Sequence, residues 1–224
     1  MEKEFVINST TNGSEIALLE NKKLVEFHRE KDENSFKVGD VILGKVKKVM
    51  PGMNAAFVDV GYEKDAFLHY TDLGADFKTY FNFYKSVRAG NNTHINDVKT
   101  QPQIDKKGNI KDVLTPKALI PVQIFKEPIS SKGPRLTTEI SIAGRFLILT
   151  PFIETIGISK RIAENEERDR LKILLKSLTP KNMGVIVRTA AKGKGAAELH
   201  IDLNNLLGKW ELLLKNLKNA IVRD

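Results

Sequence analysis

No cysteine occurs in the 224-residue chain, so disulfide frameworks, thiolate nucleophiles and cysteine-ligated zinc are excluded, and nothing calls for an oxidising compartment. Long apolar runs are missing too, none approaching the roughly 18 residues that a membrane-spanning helix needs. Residues 1–17 alternate charged and apolar side chains and lack the apolar centre of a signal peptide, so the expected location is cytoplasmic. His28, His69, His94 and His200 are scattered without metal-ligand spacing. Acidic charge is in deficit, 28 Asp and Glu against 36 Lys and Arg for a net charge of +8, which favours a polyanionic partner without naming one.

What the chain does have is a succession of short β-type runs. Residues 4–8, 14–19 and 23–27 predict a small meander, its first turn marked by Asn12-Gly13, a pair that tolerates positive φ. After a polar linker at 31–37, runs at 40–50, 55–61 and 65–69 predict three strands, and runs at 120–125 and 136–142 two more. Such closely spaced short strands favour a small barrel. Residues 70–111 break the rhythm and read as a long loop, of the kind that is functional or disordered when it interrupts a compact domain. Leu171, Leu174, Leu175 and Leu178 then fall at helical spacing, followed by a buried strand at 183–189. Leu203, Leu206, Leu207, Trp210, Leu213, Leu214, Leu217 and Ile221 form one stripe of a long closing helix. Asp202 is expected at its N-cap.

Alternate strand residues face opposite ways, so Ala56, Val58 and Val60 share the core face while Phe57 shares the other with Asp59. The next strand repeats the pattern, with Phe67 between Asp65 and His69. Two fates are open for these rings. Beside Lys45 and Lys47 on the neighbouring strand they would stack bases while the cations track phosphates. Alternatively, the 70–111 segment folds over them and makes them core. Lys192-Gly193-Lys194-Gly195 lacks both the spacing and the helix start of a nucleotide loop and reads as a flexible basic loop.

These residues resemble a family over nearly the whole chain. V-G-D-V-I-L-G-K-V-K-K-V from Val38, A-A-F-V-D-V-G from Ala55 and A-F-L-H from Ala66 are similar to the S-one type RNA-binding domain of ribonucleases E and G. L-T-T-E-I-S-I-A-G-R from Leu136, G-I-S-K-R-I from Gly157 and G-V-I-V-R-T-A from Gly184 resemble the segment of those enzymes that senses the RNA 5′ end. The resemblance implies an α+β fold: a five-stranded OB-type barrel inserted into a second α/β sensor region with a long C-terminal helix. Residues 1–36 would be the first piece of a ribonuclease-H-like subdomain, 37–142 the barrel domain with its insertion at about 70–111, 143–201 the sensor, and 202–224 a helix leading toward the catalytic part.

By matched motif, Phe57 and Phe67 fall on base-contacting aromatics, and Lys132 in Ser131-Lys132-Gly133 on a basic RNA-contacting position. Arg188 and Thr189 fall on the grip of the 5′-terminal monophosphate, where a guanidinium fork and a hydroxyl suit phosphate oxygens. Gly144 matches a place where backbone approaches the terminal nucleotide, and Ile148 a small aliphatic contact to its base. Lys160 falls on a further 5′-phosphate position, where the sequence departs from the Arg common in the family. The family cuts RNA with Mg2+ held by paired carboxylates from a later subdomain. This chain is therefore expected to bind single-stranded RNA, preferentially with a 5′ monophosphate, to hold no metal and to be inactive alone, the full-length protein being a homo-oligomer. A stand-alone regulatory RNA-binding module and a protein-interaction domain are the competing readings.

Overall fold

A computed structural model describes residues 2–10, 13–31, 36–91, 94–129 and 132–220. Asn12 of the expected hairpin, Ser131 beside Lys132 and Ile221 of the closing stripe lie outside the described residues. The chain divides into two compact units, Met1–Lys37 and Val38–Asp224.

The first unit is the expected meander: β1 (Lys3–Thr10), β2 (Gly13–Glu20) and β3 (Lys23–Lys31) pair antiparallel in chain order. Asn21 and Lys22 turn β2 into β3 with φ of 50° and 64°, the left-handed pair that matches strand twist in a two-residue hairpin. Register places Phe5 opposite Leu18 and Ile7 opposite Ile16 on one face, and Val6, Ala17 and Phe27 together on the other. Both faces therefore carry an apolar centre.

The second unit opens with a closed barrel of β4 (Val41–Met50), β5 (Ala55–Asp59), β6 (Ala66–His69), β7 (Leu119–Lys126) and β8 (Arg135–Thr137), in the order β4-β5-β6-β8-β7. Ala56, Val58, Ala66, Leu68, Val122 and Leu136 are wholly buried inside it, as the two-residue period requires. The run expected as one strand over 136–142 is broken after Thr137. Thr138 turns inward, donating its hydroxyl to the Leu73 carbonyl at 2.7 Å. The buried Gln123 amide then clasps the chain, donating to the Ser141 and Gly39 carbonyls at 2.8 Å and accepting the Ser141 N–H at 3.0 Å.

The stretch expected as a long loop is largely packed structure. Its centre is α1 (Phe77–Arg88), whose Phe77, Tyr80, Phe83, Tyr84 and Val87 are buried. Aromatic rings at spacings of three and four make one helical face, a signal masked by the polar residues between them. The rest is anchored by Asn54, which donates to the Gly108 carbonyl at 3.0 Å and accepts the Ile110 N–H at 2.7 Å.

Beyond the barrel, β9 (Ile142–Ala143), β10 (Leu147–Pro151), β11 (Ile156–Ile158) and β12 (Met183–Val187) form a sheet in the order β11-β12-β10-β9, with β11 and β12 parallel. Leu147, Leu149, Val185 and Val187 are buried on one side, where α2 (Asn165–Leu178) and α3 (Ala196–Asn219) supply Leu171, Leu175, Leu199, Leu203 and Leu206. α3 starts earlier than expected: Gly195 is its N-cap, and Glu198 accepts the Gly195 N–H at 3.1 Å. Asp202 is thus not an N-cap but sits nearly two turns inside the helix. Phe152, just past β10, takes a left-handed φ of 68° and places its ring between Tyr80, Phe83 and Tyr84 of α1 and Trp210 of α3, 5.2 to 6.0 Å from each.

Candidate nucleic-acid interface

On the barrel, Phe57 and Phe67 are register partners on adjacent strands. Their centroids lie 6.0 Å apart edge to face, and the His69 ring stacks against Phe67 at 6.3 Å. His69 Nδ1 lies 2.8 Å from the Thr71 hydroxyl and 3.2 Å from the Thr71 N–H. Both phenylalanines are partly exposed. The 70–111 segment does not make them core: both rings keep part of their surface open. They line a concave surface with Lys64, Lys126, Lys132 and Arg135. Lys132 is held there by two backbone hydrogen bonds exchanged with Ile129, of 3.2 and 2.9 Å. Arg135 makes a two-pronged pair with Asp72 at 2.9 and 3.1 Å and lies 5.9 Å from the exposed Phe125 ring.

The lysines of β4 are disposed differently from simple alternation. A register shift between Val46 and Lys48 makes Lys48, not Lys47, the partner of Phe57. Lys45 sits opposite Asp59. Lys47 bonds Asp65 at 2.7 Å and approaches Asp59 at 3.6 Å, the Asp65 bond first among the causes that hold its ammonium pKa up. Its charge balances those carboxylates. Lys48 is the cation that alternation missed, because a bulge adds a residue that periodicity cannot see.

A second cluster forms where β10 begins and β11 and β12 end. Arg188 follows β12, its backbone N–H donating to the Phe146 carbonyl at 2.8 Å and its Nη1 to the Gly144 carbonyl. That bond engages one of the five N–H donors of the guanidinium. Thr189 Oγ1 lies 3.1 Å from Ser159 Oγ, and Ser159 is tied to the sheet through its N–H to Val187 at 2.9 Å. Lys160 is exposed on the turn that follows. Ile148, Ile186 and Gly157 are register neighbours on the outer sheet face, where Ile186 is 43% exposed. Gly144, Ile148, Arg188 and Thr189 are thus gathered at one sheet end, with Ser159 as a hydroxyl that motif matching did not supply. Gly144 needs its missing side chain for an internal reason: a Cβ there would lie 2.7 and 2.8 Å from the Asp202 carboxylate oxygens.

The Lys192–Gly195 loop is held rather than loose. Lys192 pairs with Glu164 and Lys194 with Glu198, while Glu167 takes the Gly193 N–H at 2.8 Å and two bonds from Arg170. The Arg170 bonds, then the Gly193 N–H, bring the Glu167 carboxyl down to about 2. Among the described residues no three His, Asp or Glu side chains form a set that could hold a metal ion. Asp59, Asp65 and Asp72 are occupied by cations, and Asp202 by backbone N–H groups. These residues do not fit Mg2+. No helix among the described residues is long and apolar enough to cross a membrane.

Residues 141–223 match the family model of the Ribonuclease E/G family, and residues 35–125 that of the S1 RNA binding domain. The chain is 36% identical to Ribonuclease G of Haemophilus influenzae over 95% of its own length and 40% of the relative's. It is 33% identical to Ribonuclease G of Escherichia coli K12 over its full length and 42% of the relative's. With Ribonuclease E of Synechocystis it shares 36% identity over 80% of this chain and 23% of that one. The chain therefore spans about two fifths of the ribonuclease G relatives that it matches.

Proposed function

Because the chain belongs to the ribonuclease E/G family through residues 141–223 and carries an S1 RNA-binding domain at 35–125, we propose that it is the part of an endoribonuclease that holds single-stranded RNA and reads its 5′ end. The barrel rings Phe57 and Phe67 stack bases, with Lys132 and Lys48 beside the phosphates. At the sheet end, Arg188 with the Thr189 and Ser159 hydroxyls grips a 5′ monophosphate, Ile148 meets the terminal base, and Lys160 adds charge at the rim. The observation that carries this reading is the convergence of a guanidinium anchored on the Gly144 carbonyl and two hydroxyls at one sheet end, in the same compact unit as two rings left partly exposed. Phosphate monoester oxygens accept several charge-assisted bonds that a 5′ hydroxyl cannot.

On this reading the units are a leading meander at 1–36, the barrel domain at 37–142, the sensor at 143–201 and a connecting helix from 202. Cleavage with Mg2+ belongs to carboxylates outside these residues, and homo-oligomeric assembly in the cytoplasm to the longer protein. The test compares two short RNAs that differ only at the 5′ end. The unmodified chain is expected to prefer the monophosphate. Arg188→Ala is expected to bind both about equally, since each lost bond to a charged group is worth about 1.5 to 3 kcal/mol. A preference unchanged in Arg188→Ala would remove Arg188 from the grip.

A further inference from the structure

Two charged side chains lie behind the sheet end without being part of its donor set, and what they hold is backbone. Asp202, on α3 and 9% exposed, accepts three consecutive N–H groups: Arg145 at 3.1 Å on Oδ1, and Phe146 and Leu147 at 2.9 Å on Oδ2. The same loop presents its carbonyls to Arg188, Gly144 to the guanidinium and Phe146 to the backbone N–H. Asp202 thus fastens one side of a loop whose other side anchors Arg188 by side chain and backbone. Arg168, on α2, does the converse with its positive charge. Its Nη1 donates to the Ser159 and Ile162 carbonyls at 3.0 and 2.9 Å, closing the turn that brings the Ser159 hydroxyl to Thr189.

We propose that Asp202 and Arg168 are positioning residues for the 5′-phosphate grip, acting only through the 144–147 and 159–162 backbone. This rests on the reading of Arg188 and Thr189 given above. A site gains discrimination when its donors are held in place before the ligand arrives, because less ordering remains to oppose binding. Carboxylate-to-backbone bonds are charge-assisted and suit that task. Gly144 fits the same logic. Its absent Cβ would point at the Asp202 oxygens rather than at the grip, and those oxygens are already pinned by three N–H groups, so a methyl there must displace the loop.

Asp202→Asn separates positioning from charge. An amide can accept from Arg145 or from the Phe146 and Leu147 pair, but its NH2 opposes whichever donors remain. Charge alone predicts the reverse effect, since removing a negative group should tighten every RNA. The assay measures affinity for the 5′-monophosphate and 5′-hydroxyl forms of one short RNA with the full chain, with melting followed through the single Trp210. In Asp202→Asn, Gly144→Ala and Arg168→Gln the ratio of the two affinities is expected to fall about tenfold, the scale of one bond to a charged group, while 5′-hydroxyl RNA binds Asp202→Asn and Arg168→Gln as before. On an Arg188→Ala background Asp202→Asn and Gly144→Ala should cause no further loss, as for residues that act through a common group. If Asp202→Asn does not fold, Gly144→Ala and Arg168→Gln decide. A ratio retained in the folded variants while Arg188→Ala abolishes it overturns the inference and leaves the grip standing. So does a uniform tightening. A chain whose two affinities are equal before any substitution overturns both.

Discussion

Phe67 and Leu68 are neighbours in β6 with opposite faces, and exchanging each for alanine should separate binding from stability. Leu68 is wholly buried in the barrel, so Leu68→Ala removes core volume and is expected to cost about 2 to 5 kcal/mol of stability. Phe67 is partly exposed, with Phe57 at 6.0 Å and His69 at 6.3 Å as ring neighbours. Beyond the area it buries, its truncation forfeits aromatic contacts worth about 0.5 to 1.5 kcal/mol, or about 1 to 6 °C of melting temperature in a chain of this size. One stacked base contributes about 1 to 3 kcal/mol, so Phe67→Ala should weaken single-stranded RNA binding about 5- to 150-fold. Because the two rings touch, the Phe57→Ala, Phe67→Ala double variant should lose less than the sum of the singles. Fluorescence anisotropy at fixed salt gives the affinities, and Trp210 emission gives the melting curves. A Phe67→Ala protein that melts as early as Leu68→Ala, yet binds RNA normally when folded, would refute the assignment of the rings to the binding face.

Lys48→Ala is expected to weaken RNA binding and to reduce the slope of log affinity against log salt by about 1, as for one lost phosphate contact; an unchanged slope would take Lys48 off the RNA path. Gly184→Ala should destabilise the second unit by about 4 kcal/mol or more, because its Cβ would meet the Ile153 carbonyl at 1.9 Å and the Thr155 backbone at 2.5 and 2.8 Å. Melting within about 2 °C of the unmodified chain, about 1 kcal/mol at most, would contradict that. Single-stranded RNA incubated with the purified chain and Mg2+ should stay intact, and magnesium-dependent cleavage by a contamination-controlled preparation would show that a carboxylate set was overlooked.

The strands were legible because burial on one face imposes a two-residue period that survives in the sequence: Ala56, Val58 and Val60 against Phe57 and Asp59 needed no other information. α1 was not legible. Its buried face is built from Phe77, Tyr80, Phe83, Tyr84 and Val87, and the turn-forming Ala89-Gly90-Asn91-Asn92 after it argued for a loop. The start of α3 was misplaced for a related reason. A helix capped by glycine and a glutamate at the third position leaves a weaker mark than an Asp, and the Asp present at 202 is bonded to chain more than fifty residues away. Long-range bonds of that kind have no local signature. The motif resemblance marked Gly144, Arg188 and Thr189, whereas Ser159 and Lys48 depended on sheet register, which a parallel pairing and a bulge decide.

Phe152 and Trp210 have a consequence for length. Phe83 and Tyr84 of α1, in the segment that links β6 to β7 of the barrel, stack with Trp210 at 6.4 and 6.3 Å, and Phe152 leads directly out of β10, the strand that begins at the Arg188 cluster. One aromatic knot therefore ties the barrel to the sensor sheet, and neither can slide against the other without breaking it. On the proposed reading this makes the unit a ruler. The distance between a gripped 5′ phosphate and the stacking rings is set by the protein, and with it the shortest RNA that can reach both. Affinity should then rise in a step once a strand is long enough to reach both ends, because the second contact is made at the high effective concentration of a tethered group.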